Sequence, residues 1–101
     1  MNIQLLNFAE DDIVDGYYFY EDQSMGLGRY FADSIYSDID SLLISSGSHI
    51  KIYGKFRMLS KRFPFAIYYT TNIDTIFVHS VLDCRRKPAW MKTKLNREEG
   101  K

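Results

Sequence analysis

The side chains best equipped to do chemistry in this 101-residue sequence are its cations. Lys51, Lys55, Arg57, Lys61 and Arg62 fall close together, and Arg85, Arg86 and Lys87 form an unbroken run. Tyr53 and Trp90 interleave aromatic rings with these charges. Cations beside aromatic rings are suited to anions, above all phosphates, and such binding weakens as salt rises because counterions are released. The plainer alternative is that bases at strand ends are simply solvated. Arg85 and Arg86 are the leading candidates for contact with a partner, and Trp90 either contacts a partner or packs the chain end onto the rest of the protein.

Other reactive groups are less suggestive. No glycine-rich phosphate loop ending in Lys-Ser or Lys-Thr is present, and the Gly26-Leu27-Gly28 stretch reads as a turn between helices. His49 and His79 have no neighbouring ligand pair, so no metal site and no cofactor are expected. Cys84 precedes two arginines that favour its thiolate, but no His or Asn accompanies it, and it reads as a strand-end residue. A lone cysteine also excludes an intrachain disulfide. Asp11, Asp12 and Asp15 read as the wet face of a helix rather than as an acid–base pair.

Charge is divided along the chain. Thirteen bases balance thirteen acids overall, yet residues 1–48 hold nine acids and one base while residues 49–101 hold twelve bases and four acids. Such asymmetry points to an anionic partner for the basic half. With 46% apolar residues there is material for a core, and the length suits a single domain over 1–101. The first residues lack the basic and apolar regions of a signal peptide, and no apolar run approaches the roughly 20 residues needed to span a bilayer. A cytoplasmic protein with no membrane partner is expected.

The elements that must position these side chains follow from periodicity. Ile3 to Leu6 reads as a strand, and Asn7 with Glu10 resembles a helix cap and its capping-box partner. Ala9, Ile13, Tyr17 and Tyr20 recur at helical spacing, as do Leu27, Phe31, Ile35, Ile39, Leu42 and Leu43, with Gly47 as a stop. A short glycine-containing connection makes these two helices an antiparallel hairpin. From residue 49 the period falls to two. Ile50 to Tyr53, Phe56 to Lys61, Phe63 to Thr71 and Ile76 to Leu82 read as strands, with turns at Gly54 and at 71–74. Phe65, Ile67 and Tyr69 share one face and are expected in the core, and Ala66 and Tyr68 share the other. Ile76, Val78, Ser80 and Leu82 are expected on one face of the last strand, opposite Phe77, His79 and Val81. The predicted class is α+β, an N-terminal strand and helical hairpin packed on a small antiparallel sheet. A short helix is expected after Pro88, and residues 96–101 read as a frayed tail.

Several of these segments, taken in order, resemble the RelE/ParE family of toxins from type II toxin-antitoxin modules. The carriers are Ala9-Glu10-Asp11-Asp12-Ile13, Gly26-Leu27-Gly28-Arg29-Tyr30-Phe31 and His49. With them go Arg62-Phe63-Pro64-Phe65-Ala66-Ile67-Tyr68-Tyr69 and Val81-Leu82-Asp83-Cys84-Arg85-Arg86-Lys87-Pro88. Their order and spacing look most like the ParE branch, and the resemblance covers nearly the whole chain, from about residue 2 to 92. The family's helical hairpin on a small antiparallel sheet agrees with the elements above. The resemblance implies a cognate antitoxin that adds a strand at the sheet edge or lays a helix in the groove beside the hairpin. It also implies one of two targets. RelE-like members are metal-independent endoribonucleases that cut mRNA in the ribosome. Here the activating group would come from Lys51, Lys55 or Lys61, and the cations stabilising the transition state from Arg57, Arg62 or Arg86. Two departures disfavour this: Ala66 stands on or near the position of a RelE-like arginine, and Trp90 at that of a tyrosine. ParE-like members poison DNA gyrase without that residue set, which fits better. A third possibility is an inactivated member that only binds its antitoxin. For the toxin readings Arg57, Lys61, Arg62, Arg85, Arg86 and Trp90 are the expected target or antitoxin contacts.

Overall fold

A strand, two helices and a single helical turn in the first half hand over to four strands and a final helix in the second. The computed structural model describes residues 1–97. In chain order the elements are β1 (Asn2–Leu5), α1 (Asn7–Glu21), α2 (Leu27–Asp40), the single turn α3 (Leu42–Ser45), β2 (Lys51–Ile52), β3 (Lys55–Leu59), β4 (Phe65–Thr71), β5 (Thr75–Asp83) and α4 (Pro88–Leu95). The strands form one sheet in the order β1-β5-β4-β3-β2. β2 to β5 run antiparallel to their neighbours, while β1 joins the outside of β5 in parallel.

Helix α1 departs from the capping-box expectation. The Leu6 N–H is tied to the Val78 carbonyl at 3.0 Å, so the strand passes straight into the helix. Leu6 therefore takes the extended cap conformation, with no side-chain cap, and Asn7 is already helical. The start of α2 is satisfied from a distance: the Glu21 carboxylate accepts the N–H groups of Gly26 and Gly28 at 3.0–3.1 Å. A carboxylate there satisfies orphan donors and complements the positive end of the helix dipole.

The hairpin closes because two of its residues lack a Cβ. A methyl group at Gly28 would lie 2.5 Å from the Tyr17 carbonyl oxygen, and one at Gly16 would lie 2.4 Å from the Phe31 ring. The helices can thus approach closely enough to seat Phe31, Ile35 and Ile39 against Ile67, Tyr69, Ile76 and Val78. Phe63 and Phe65 complete an aromatic cluster with Tyr20 and Phe31, with ring centroids 4.8–6.2 Å apart. The opposite sheet face carries Ala66, Tyr68 and Leu82, which α4 covers with Leu95 and the half-buried Trp90 and Met91.

The β4–β5 pairing corrects one expectation. Tyr68 faces Ser80, but Tyr69 faces Val78, so His79 is an extra residue in β5. This bulge inverts the side-chain alternation beyond it. Ile76, Val78 and Val81 consequently share the hairpin face, while Leu82 joins the opposite face. Strand β3 is also shorter than read, ending at Leu59, and Tyr53 belongs to the turn into it: with φ of 54° at Tyr53 and 81° at Gly54, the β2–β3 connection has the twist of a two-residue hairpin turn.

Candidate interaction surface

The parity of the strands decides where each cation goes. Lys51 pairs across the sheet with Phe56, on the hairpin side, and its ammonium lies 4.8 Å from that ring's centroid. Lys55 and Arg57 are on the other side, where Arg57 faces Tyr68. Lys61 and Arg62 lie exposed in the β3–β4 connection, and Arg85, Arg86 and Lys87 in the connection to α4. The cations predicted to form one site are therefore distributed over both sheet faces and two loops.

Their local partners distinguish them further. Arg85 grips Asp83 through Nε and Nη2 at 3.0 and 2.8 Å, and its own backbone N–H donates to the same carboxylate. This holds the Asp83 carboxyl below the usual carboxylate range. Arg86 stacks 4.3 Å from the Trp90 ring centroid. The Arg57 Nε is buried with no hydrogen-bond partner among the described residues. Burial pushes the Tyr68 phenol up, although the Arg57 charge beside it favours the phenolate. Cys84 behaves likewise: although the residue is exposed, desolvation raises its thiol and outweighs the nearby Arg57. The Arg85 and Arg86 charges that favour the thiolate in sequence do not prevail over burial, in keeping with a strand-end residue rather than a nucleophile.

Two acids are structural, one of them, Asp12, expected on the wet face of the first helix. Asp12 is 6% exposed. Its carboxylate accepts the Val81 N–H at 2.9 Å and a bidentate grip from Arg97 at 2.9–3.0 Å, while Arg97 also donates to Ser80. Arg97 is therefore anchored, contrary to the frayed tail expected from residue 96; residues 98–101 lie outside the described residues. Asp38 is 3% exposed and accepts from the Ser60 hydroxyl at 2.7 Å and the Lys61 N–H at 3.3 Å, tying the β3–β4 connection to α2. These two carboxylates fasten the acidic half of the chain to the basic half.

Two concavities flank this assembly. The larger, about 740 Å³, runs between α3 and the outer edge of β3. Its rim is apolar and open, with Ile44 95%, Ile50 60% and Leu59 58% exposed, and Lys61 and His49 also line it. Arg57 donates its N–H to the Ile50 carbonyl at 2.9 Å. β2 and its approach extend no further along that edge, so by the alternation of the ladder Leu59 presents its backbone N–H and C=O to the groove. The wall is held by Tyr69, whose buried hydroxyl accepts the Gly47 N–H at 3.0 Å and pairs with His49 Nδ1. Nothing in the period-two pattern announced this groove; the exposed Leu43-Ile44 pair in a helical run was its one trace. The second concavity, about 340 Å³, lies between α1 and α4.

No family model matches the sequence, and no curated protein matches it. Among solved structures, a chain of the chromosomal ParDE TA system from P. aeruginosa superposes with a TM-score of 0.69 at 15% identity, over 80% of this chain and 92% of that one. The chain thus has the ParE-like toxin fold that its motif order resembles. No helix among the described residues is long and apolar enough to cross a membrane.

Proposed function

We propose that this protein is the toxin of a type II toxin-antitoxin module, that it inhibits DNA gyrase, and that a cognate antitoxin neutralises it. The observation that carries the reading is the fold shared with a ParDE chain over nearly all of that chain's length. Within the family, placement of the residues supports the gyrase branch over the endoribonuclease branch. Ala66, standing where the RelE-like arginine is expected, is fully buried. Lys51 lies on the opposite sheet face from Lys55 and Arg57. Trp90, standing for a tyrosine, has no titratable proton to give. An RNase site needs its base, acid and cations gathered within hydrogen-bond reach of one phosphate, and these positions do not favour it.

The groove between α3 and β3 is the surface that best suits the antitoxin. It pairs an open backbone edge with exposed aliphatic side chains, so an added strand gains main-chain hydrogen bonds and an apolar anchor together. Lys61 in its lining favours an acidic residue in that strand. The test is induction in a bacterial host. Growth arrest with an SOS response and no codon-specific mRNA cuts by primer extension is expected; mRNA cleavage at translated codons would assign the RNase branch instead.

A further inference from the structure

The cleft between α1 and α4 is separate from the groove beside β3 that suits the antitoxin. Its floor is apolar, formed by Phe65, Val81 and Leu82. One wall is Trp90, with the Arg86 guanidinium 4.3 Å and the Lys94 ammonium 5.5 Å from its ring centroid. The facing wall, from α1, presents Phe19, 51% exposed, and Asp15. Arg85 and Arg97 are committed to Asp83 and Asp12, whereas Arg86 and Lys94 form no ion pair within 4 Å among the described residues. β1 pairs with β5 only from Thr75 to Val78, and beyond it the Asp12 carboxylate takes the Val81 N–H, so the cleft is bounded there by side chains and not by a strand.

An aromatic plate bearing two uncommitted cations, above an apolar floor, suits a side chain that is apolar in its body and a neighbouring group that is anionic. At 340 Å³ the cleft has the size of a small ligand site. We propose that this cleft is a docking site for an acidic segment of a partner protein. The segment seats one apolar side chain between Phe19 and Trp90 and sets a carboxylate against Arg86 and Lys94. Asp15 gives the cleft a polarity, repelling an acid that approaches from the α1 side. The occupant is a peptide rather than a free carboxylate because two facing aromatic walls and a pair of cations together offer contacts to more than one side chain of the same segment.

Trp90 is the chain's one tryptophan, so its emission reports on the cleft directly. The probe is the blocked peptide acetyl-LEFEL-amide, titrated against the full chain, with LQFQL and LKFKL peptides and free 3-phenylpropionate as controls. Saturable change in Trp90 emission with the acidic peptide is expected, with binding about tenfold weaker for the LQFQL peptide, which corresponds to the loss of one charge-assisted contact. Arg86→Gln and Lys94→Gln should each weaken the acidic peptide several-fold, and Asp15→Asn should tighten it. Arg86 and Asp15 are exposed and Lys94 is half-buried, and thermal unfolding checks that each variant is folded. Equal binding of the three peptides, response to 3-phenylpropionate but not to the peptide, or titrations unchanged in both Arg86→Gln and Lys94→Gln would overturn the proposal. The readout is independent of toxicity, so it can fail while the toxin reading stands, and the reverse.

Discussion

Replacing Arg97 by alanine should destabilise the domain far more than its place near the chain end suggests. The Asp12 side chain is 5% exposed and that of Arg97 18%. Removing the guanidinium leaves a buried carboxylate with the Val81 N–H as its remaining partner. Breaking a buried pair by deleting one member costs about 3–5 kcal/mol, and the residual exposure and the Val81 bond place this case near the lower end, at about 3 kcal/mol. For a domain of this size that is a fall in Tm of about 12–24 °C. Asp12→Ala acts differently. It orphans the Val81 N–H and frees Arg97 to reach water, a loss of about 2–3 kcal/mol. The double variant should then be no less stable than Arg97→Ala alone, giving a coupling energy of about 2–3 kcal/mol. Urea denaturation of the four proteins, followed by circular dichroism, measures each term. Single-variant losses that simply add in the double variant, within about 0.5 kcal/mol, would refute the clasp.

Further predictions come from the same placements. Gly28→Ala pushes a methyl group into the Tyr17 carbonyl and should cost about 3 kcal/mol, the upper end of ordinary overpacking, read from the urea midpoint. Asp38→Ala strips the partner from Ser60 and Lys61 and should cost about 1–3 kcal/mol in the same assay, with faster amide exchange confined to the β3–β4 connection. The Asp83 carboxyl lies below its ordinary value of 3.8, chiefly through its Arg85 hydrogen bond. Its contribution is therefore fully present above pH about 4 and fades as the pH falls through the lowered folded value. Comparing wild type with Asp83→Asn across pH 2–6 should show their stability difference shrinking towards the acid end. His79 is lowered from 6.5 by burial and by Lys55; stability should rise as pH increases through that range, and His79→Gln should flatten the rise.

Much of the architecture was legible because both periodicities are strong. The run Phe65, Ile67, Tyr69 could only bury one face, and Phe31, Ile35, Ile39 could only form one stripe. The bulge at His79 was not, since a bulge there carries no glycine and a straight alternation through Ser80 and Leu82 reads equally well. Nor could composition choose Asp12 out of a row of acids: its partner Arg97 lies 85 residues away, and the Val81 N–H that it satisfies is freed only because β1 stops at Leu5. The basic clusters were visible, but whether they meet depends on strand parity. That parity put Lys51 on one face and Lys55 and Arg57 on the other. The apolar groove beside β3 escaped notice because it is made by where β2 ends, not by what β3 contains.

Gyrase inhibition, the proposed function, is tested most directly by a supercoiling assay with purified components. Gyrase, relaxed plasmid and ATP are incubated with increasing amounts of the protein, and the products are resolved with and without denaturant and protease. Loss of supercoiling together with accumulation of cleaved DNA that stays bound to gyrase until proteolysis is expected. Full supercoiling activity at a molar excess of folded protein, with no cleaved DNA, would contradict it.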